Sequence, residues 1–149
     1  VLEASEPLSL LLTTLERFAN QRIRTTVLAS EGLSVDQWRV MWSIYRGGGC
    51  SMSEVAERAV VSTTTLTRII DKLTAQSVLY RHVDTSNRRR TPLYLSDRGA
   101  RLTERVRARV DEVESEIFGN GGNSPECLQG VMRRAGAAWS QSFENSHLS

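Results

Sequence analysis

Between Pro7 and Ala29 the apolar residues Leu8, Leu11, Leu12, Leu15, Phe18, Ala19, Ile23 and Val27 recur at the spacing of one helical face. This pattern predicts a long amphipathic helix. Ser34 heads a second helix: with Gln37 three residues on it forms a capping box, and Val35, Trp38, Met41, Trp42 and Tyr45 supply the apolar stripe. Gly47, Gly48 and Gly49 close it, because glycine enters the left-handed conformation of a helix terminus without steric cost.

A second capping box, Ser51 with Glu54, opens a short helix running to about Ala59 that buries Val55 and Ala56. Val60 and Val61 make a turn. Ser62 then caps a third helix to about Gln76, with Leu66, Ile69, Ile70 and Leu73 facing inward and Thr63, Thr64, Thr67, Arg68, Asp71 and Lys72 left outward. Val78 to Val83 reads as a strand, Asp84 to Arg90 as a polar tip, and Thr91 to Leu95 as the returning strand, in which Pro92 marks a sheet edge. Ser96 caps a helix of about twenty residues striped by Leu102, Val106, Val110, Val113 and Ile117, and Gly119 to Asn123 breaks it. Ser124 and Pro125 start a last helix with Leu128, Val131, Met132, Ala135, Ala138 and Trp139 on one side. The predicted fold class is mainly α with a small β-hairpin wing.

At 149 residues, with 40% hydrophobic and 24% charged positions, the chain is expected to fold as one ordinary globular unit. No run of roughly 18 to 20 apolar residues could span a membrane, and the first residues lack the basic start, apolar run and small-residue cleavage site of a leader, so a cytoplasmic location is expected. The two cysteines, Cys50 and Cys127, stand far apart with no Cys/His cluster around them, which argues against a disulfide framework or a metal site. The net charge of +2 conceals an asymmetry. Ser62 to Arg109 holds eleven Arg or Lys against four Asp or Glu, a net of +7, while the remainder holds eight against thirteen, a net of −5. A basic segment on a weakly acidic scaffold suits a polyanion, because clustered cations displace the counterions condensed on nucleic acid.

Short helix, tight turn, helix and basic-tipped hairpin, in that order, make a winged helix-turn-helix. Its second helix enters the major groove, where Ser62, Thr63, Thr64, Thr65 and Thr67 offer small hydroxyls, Arg68 can fork onto guanine, and Lys72 and Ser51 flank the contact. In isolation a serine followed by three threonines is equally well explained by a cap and a solvated face. The surrounding order favours DNA. Arg88, Arg89 and Arg90 repel one another at the hairpin tip and gain from an anionic partner such as a narrow minor groove.

From Leu33 to about Val106 the chain resembles the MarR family of multiple antibiotic resistance regulators. The resemblance runs through Leu33 to Trp38, Met52 to Ala56, Val61 to Leu73, the wing from Arg81 to Arg89, and Leu95 to Gly99. It implies a single unit over 1–149 with a DNA-binding lobe at 34–98 and dimerisation helices at 5–29 and 99–145. It further implies a homodimer on a pseudopalindromic operator in double-stranded DNA, usually a repressor released by a small molecule, with Arg89 entering the minor groove. Two positions depart from the family pattern: Asn87 replaces the usual wing aspartate that fixes the arginine, and Ser77 replaces the usual glycine after the recognition helix. Dimerisation is expected on separate grounds too, since the terminal helices carry more apolar surface than a reading head of about seventy residues could cover.

For an aromatic or anionic effector the candidate contacts are Arg22, Trp38, Tyr45 and His82, each taken alone better explained as core or surface. No cofactor is expected, and His82 and His147 lack the nucleophile, phosphate loop or ligand spacing of an enzyme. The alternatives are a winged-helix protein-interaction module, which would lack the Thr/Arg surface, and a thiol-based redox sensor built on Cys50.

Overall fold

The structure is a computed structural model, and it describes residues 6–82, 91–119, 129–134 and 136. The chain divides into two compact units, residues 1–110 and 111–149.

The N-terminal helix α1 (Leu8–Ile23) does not end where the apolar stripe suggests. It passes into a π-turn (Arg24–Leu28) and then a last α-turn, α2 (Ala29–Glu31), before Gly32 stops it at φ 66°. The π-turn widens the backbone by one residue and releases carbonyls from the regular ladder. Thr25 Oγ1 and Thr26 Oγ1 donate to the carbonyls of Gln21 and Arg22 at 2.9 and 2.7 Å, back-bonding that bends helices. Ile23, Val27 and Leu28 are buried there, whereas Leu8, Leu10, Leu12 and Phe18 stay exposed. The single stripe predicted from the sequence is therefore two faces.

Helix α3 (Val35–Gly47) begins with the complete capping box: Gln37 N–H donates to Ser34 Oγ and Ser34 N–H to Gln37 Oε1, at 3.1 and 2.9 Å. Its core face corrects the expected stripe. Trp38 and Met41 are buried together with Val40 and Ile44, while Val35 and Trp42 are only half-buried and Tyr45 is exposed. Gly48, left-handed at φ 59°, closes the helix.

Helix α4 (Met52–Ala59) carries the second capping box, Ser51 with Glu54, and buries Val55 and Ala59 rather than Ala56. Helix α5 (Thr63–Ala75) is capped by Ser62, whose Oγ accepts from Thr65 N–H, and it buries Leu66, Ile69, Ile70 and Leu73 as the pattern predicts. Strands β1 (Leu79–Arg81) and β2 (Leu93–Leu95) pair antiparallel, with Leu79 opposite Leu95, Tyr80 opposite Tyr94 and Arg81 opposite Leu93. Both are shorter than expected. On its other edge Leu93 exchanges backbone bonds with Cys50 at 2.8 and 3.2 Å, so the segment between α3 and α4 supplies a third rung.

Helix α6 (Asp97–Phe118) starts in the first unit and continues into the second. Ser96 caps it, accepting from Gly99 N–H at 3.0 Å. Thr103, Val106, Val110 and Val113 are buried, with Leu102 and Ile117 half-buried. Beyond it, residues 129–134 and 136 are helical, with Val131 and Met132 exposed. Among the described residues no helix is long and apolar enough to cross a membrane.

Candidate nucleic-acid interface

Helices α4 and α5 meet at a tight corner. Val60 caps α4 at φ 55°, a conformation that β-branched residues rarely adopt, and Val61 N–H donates to Ala56 O at 3.1 Å. Holding Val60 in this shape lets Ser62 start α5 two residues later. Because Leu66, Ile70 and Leu73 are wholly buried, the opposite face of α5 must point outward, and Ser62, Thr63, Thr64, Thr67, Arg68, Asp71 and Lys72 are all exposed. Among the described residues Arg68 has no partner, and it presents its guanidinium as an unengaged donor fork.

The predicted contact residues are not equivalent. Thr65 is half-buried and tied to the cap, its Oγ1 accepting from Ser62 Oγ at 2.9 Å and its N–H donating to the same oxygen at 3.2 Å. Thr67 Oγ1 donates back to Thr63 O at 3.0 Å but keeps acceptor capacity. Ser51 is half-buried, with its hydroxyl donating to Glu54 Oε2 at 2.8 Å. Lys72 stands in the last turn of α5. Arg88, Arg89 and Arg90, with Asn87, lie outside the described residues. At the wing base Tyr80 and Tyr94 stack across the strands, centroids 5.8 Å apart, and Arg81 pairs with Asp71 of α5 at 3.4 Å. Recognition helix and wing are thus joined directly.

The C-terminal end of α5 is held by the start of α6. Ser77 adopts φ 57°, so the serine takes up the left-handed shape expected of a glycine. Ser96 Oγ donates to Ser77 O at 2.8 Å, Ser96 N–H to Val78 O at 3.0 Å, and Arg98 Nη1 to Gln76 O at 2.8 Å. Gly99 lies so close to the Val78 carbonyl that an added Cβ would overlap it. Further along α6, Arg105 grips Glu31 in a two-pronged pair at 3.1 and 3.0 Å. Arg109 donates to Ser30 Oγ at 2.9 Å and Thr26 O at 2.8 Å, capturing a carbonyl of the π-turn. The hydrogen bond from Arg105 holds the Glu31 carboxyl below its ordinary range, against a smaller upward push from burial.

The four effector candidates do not converge. Trp38 stacks on Trp42 at 5.8 Å and Trp42 on Tyr45 at 5.7 Å, forming a ladder along α3. Arg107 of α6 lies over Trp42 at 5.0 Å, and Tyr45 Oη donates to Glu104 Oε1 at 2.8 Å, which raises the phenol pKa above its usual value. His82 instead meets the edge of Tyr94 at 6.0 Å, and Arg22 is exposed on α1. A solvent-open cavity of about 300 Å³ lies elsewhere, bordered by Glu31, Leu33, Gln76, Ser77, Arg98 and Leu102. The sequence reading missed it because its walls come from three distant segments. Its one available signal was the helical spacing of Arg98, Leu102, Arg105 and Arg109 along one face.

Cys50 is buried beneath Gly47 and Arg58, whose Nη1 lies 3.3 Å from Sγ. Burial pushes the thiol pKa up, only partly opposed by the Arg58 charge, which is the wrong direction for a reactive thiolate. Cys127 lies outside the described residues. Among the described residues no group of three or more His, Cys, Asp or Glu could hold a metal ion.

A family model described as MarR family matches residues 33–91. The chain is 27% identical over 127 residues to the HTH-type transcriptional regulator YwaE of Bacillus subtilis (strain 168), covering 82% of this chain and 74% of that protein. It is 27% identical over 86 residues to the HTH-type transcriptional repressor IacR of Pseudomonas putida, covering 58% of this chain and 49% of the repressor. Among solved structures it superposes on BpsR of Bordetella bronchiseptica, whose DNA binding is regulated by 6-hydroxynicotinic acid. That match has a TM-score of 0.73 at 21% identity and covers 93% of this chain and 96% of BpsR.

Proposed function

From the match of residues 33–91 to the MarR family model, we propose that the chain is a MarR-type, sequence-specific DNA-binding regulator. In this reading it acts as a homodimer on a pseudopalindromic operator and represses until a small molecule releases it. The observation that carries the DNA contact is the outer face of α5, where Ser62, Thr63, Thr64, Thr67 and Arg68 stand exposed over a wholly buried apolar face. A helix so anchored presents its first turns to the major groove, hydroxyls and guanidinium outward. Lys72 and the arginines at 88, 89 and 90 supply the phosphate and minor-groove charge.

Dimerisation is supported by the apolar side chains left uncovered on α1, Leu8, Leu10, Leu12 and Phe18, and by exposed Val131 and Met132 in the second unit. Two-fold symmetry would place two recognition helices about one DNA turn, roughly 34 Å, apart. Repression is supported by the likeness to IacR, and response to a small aromatic or anionic molecule by the likeness to BpsR.

The test is a fluorescence-anisotropy titration of the protein against random-sequence duplex pools at two salt concentrations, with sequencing of the retained fraction. Enrichment of a palindrome, with affinity falling as salt rises, is the expected result. Binding without sequence enrichment, or none at all, would count against a sequence-specific regulator.

A further inference from the structure

The outer face of α5 is not purely cationic. Asp71 stands on it, exposed, one helical turn beyond Thr67 and Arg68 and directly before Lys72. Residues three or four apart on a helix are neighbours, so the Asp71 carboxylate is the nearest partner of opposite charge that α5 itself offers to the Arg68 guanidinium. The structure shows a different pairing. Arg81 of β1 takes Asp71 at 3.4 Å, and Arg68 has no partner among the described residues. With side chains 42% and 68% exposed, the Arg81–Asp71 pair contributes little as a stabilising contact. Its consequence lies in what it leaves open.

We infer that Arg81 is a positioning residue for base reading: by occupying Asp71 it keeps the Arg68 fork free for guanine. A guanidinium held by a carboxylate of its own helix must be pulled off that partner before it can fork onto guanine O6 and N7. An uncompensated carboxylate on a DNA-facing helix also repels the phosphates on either side of the groove. Arg81 removes both penalties without touching a base. The hairpin register holds it in place, because Arg81 is paired across the strands with Leu93, which is wholly buried and bridged on its other edge to Cys50. The wing base thus acts on the recognition helix through a charge delivered from a fixed strand. This role rests on the reading of α5 as the helix that enters the major groove.

The test uses the full chain and the operator recovered from the retained duplexes. The guanine read by Arg68 is the position whose replacement weakens the parent about tenfold but leaves Arg68→Ala unaffected. Anisotropy titrations then compare the operator with the duplex lacking that guanine. In Arg81→Gln the preference should fall from about tenfold to about twofold or less, because Asp71 is released onto Arg68. Adding Asp71→Asn should restore the preference to within about twofold of the parent's, which neither a misfolded wing nor a lost phosphate contact could do. A preference unchanged in Arg81→Gln, with both duplexes weakened equally and a salt slope lower by about one unit, makes Arg81 a plain phosphate contact and overturns the role. Failure of Asp71→Asn to restore the preference overturns it as well. An enriched operator with no position read by Arg68 overturns it while leaving a sequence-specific regulator standing, whereas no enrichment at all removes both.

Discussion

Arg109 donates from Nη2 to the main-chain carbonyl of Thr26, 83 residues earlier in the chain, at 2.8 Å. That carbonyl lies within the π-turn, and the guanidinium gives it a side-chain donor. Together with the Arg105–Glu31 fork, this contact ties α6 to the N-terminal helical segment across a long stretch of sequence.

Glu31→Gln should reduce stability modestly, by up to about 1 kcal/mol at neutral pH, because the pair is partly solvent-exposed and screened. The sign with pH follows from the lowered carboxyl pKa. Its contribution is complete above the ordinary value of 4.5 and is lost as pH falls through the lower folded-state value. Urea melts of both proteins at neutral and acidic pH should therefore show a difference that shrinks with acidification. A gap that widens instead would refute the fork as a stabilising ion pair.

Val60→Gly should stabilise the protein by about 1 kcal/mol, since a left-handed β-branched residue is strained and this side chain, 80% exposed, packs on little. Equilibrium unfolding measures it. A loss of stability would mean that Val60 contributes packing the strain argument omits.

Gly99→Ala should do the reverse of what helix propensity dictates. In an ordinary helix interior the change stabilises by roughly 0.5–1 kcal/mol, but here the methyl group overlaps the Val78 carbonyl and should cost about 1–3 kcal/mol. The melting temperature should fall, and a rise would show that α6 can slide away from α5 freely.

Arg89→Ala should weaken binding to all DNA sequences and flatten the salt slope by about one unit, whereas Arg68→Ala should also relax base preference. Anisotropy titrations over a salt series with operator and scrambled duplexes separate the two. Equal behaviour of both variants and the parent would remove the proposed contact surface.

The helices and their caps were legible because each signal is local. Ser34 with Gln37, Ser51 with Glu54, and Ser62 before its apolar run all reach their partners within three residues. The buried face of α5 was legible for the same reason. What escaped was non-local. The π-turn leaves no mark in a periodicity count, since one extra residue shifts the face by about a hundred degrees and still yields apolar residues at plausible spacings. On α3 the conspicuous aromatics drew the stripe toward Trp42 and Tyr45, although Val40 and Ile44 face the core. Ser77 marked a departure from the family pattern, yet its φ of 57° shows the turn kept in the left-handed form. Ser96 was readable as a cap, but its second role, donating to Ser77 and Val78, depends on the fold.

Trp38, Trp42 and Tyr45 form a column of rings whose centroids are less than 6 Å apart, with an arginine from α6 against the middle one. Indoles this close share their electronic excitation, and a neighbouring cation shifts their emission. The protein thus contains its own optical gauge of how tightly α3 and α6 are joined, readable without a dye as a shift in indole emission when the Arg107 cation moves off the Trp42 ring.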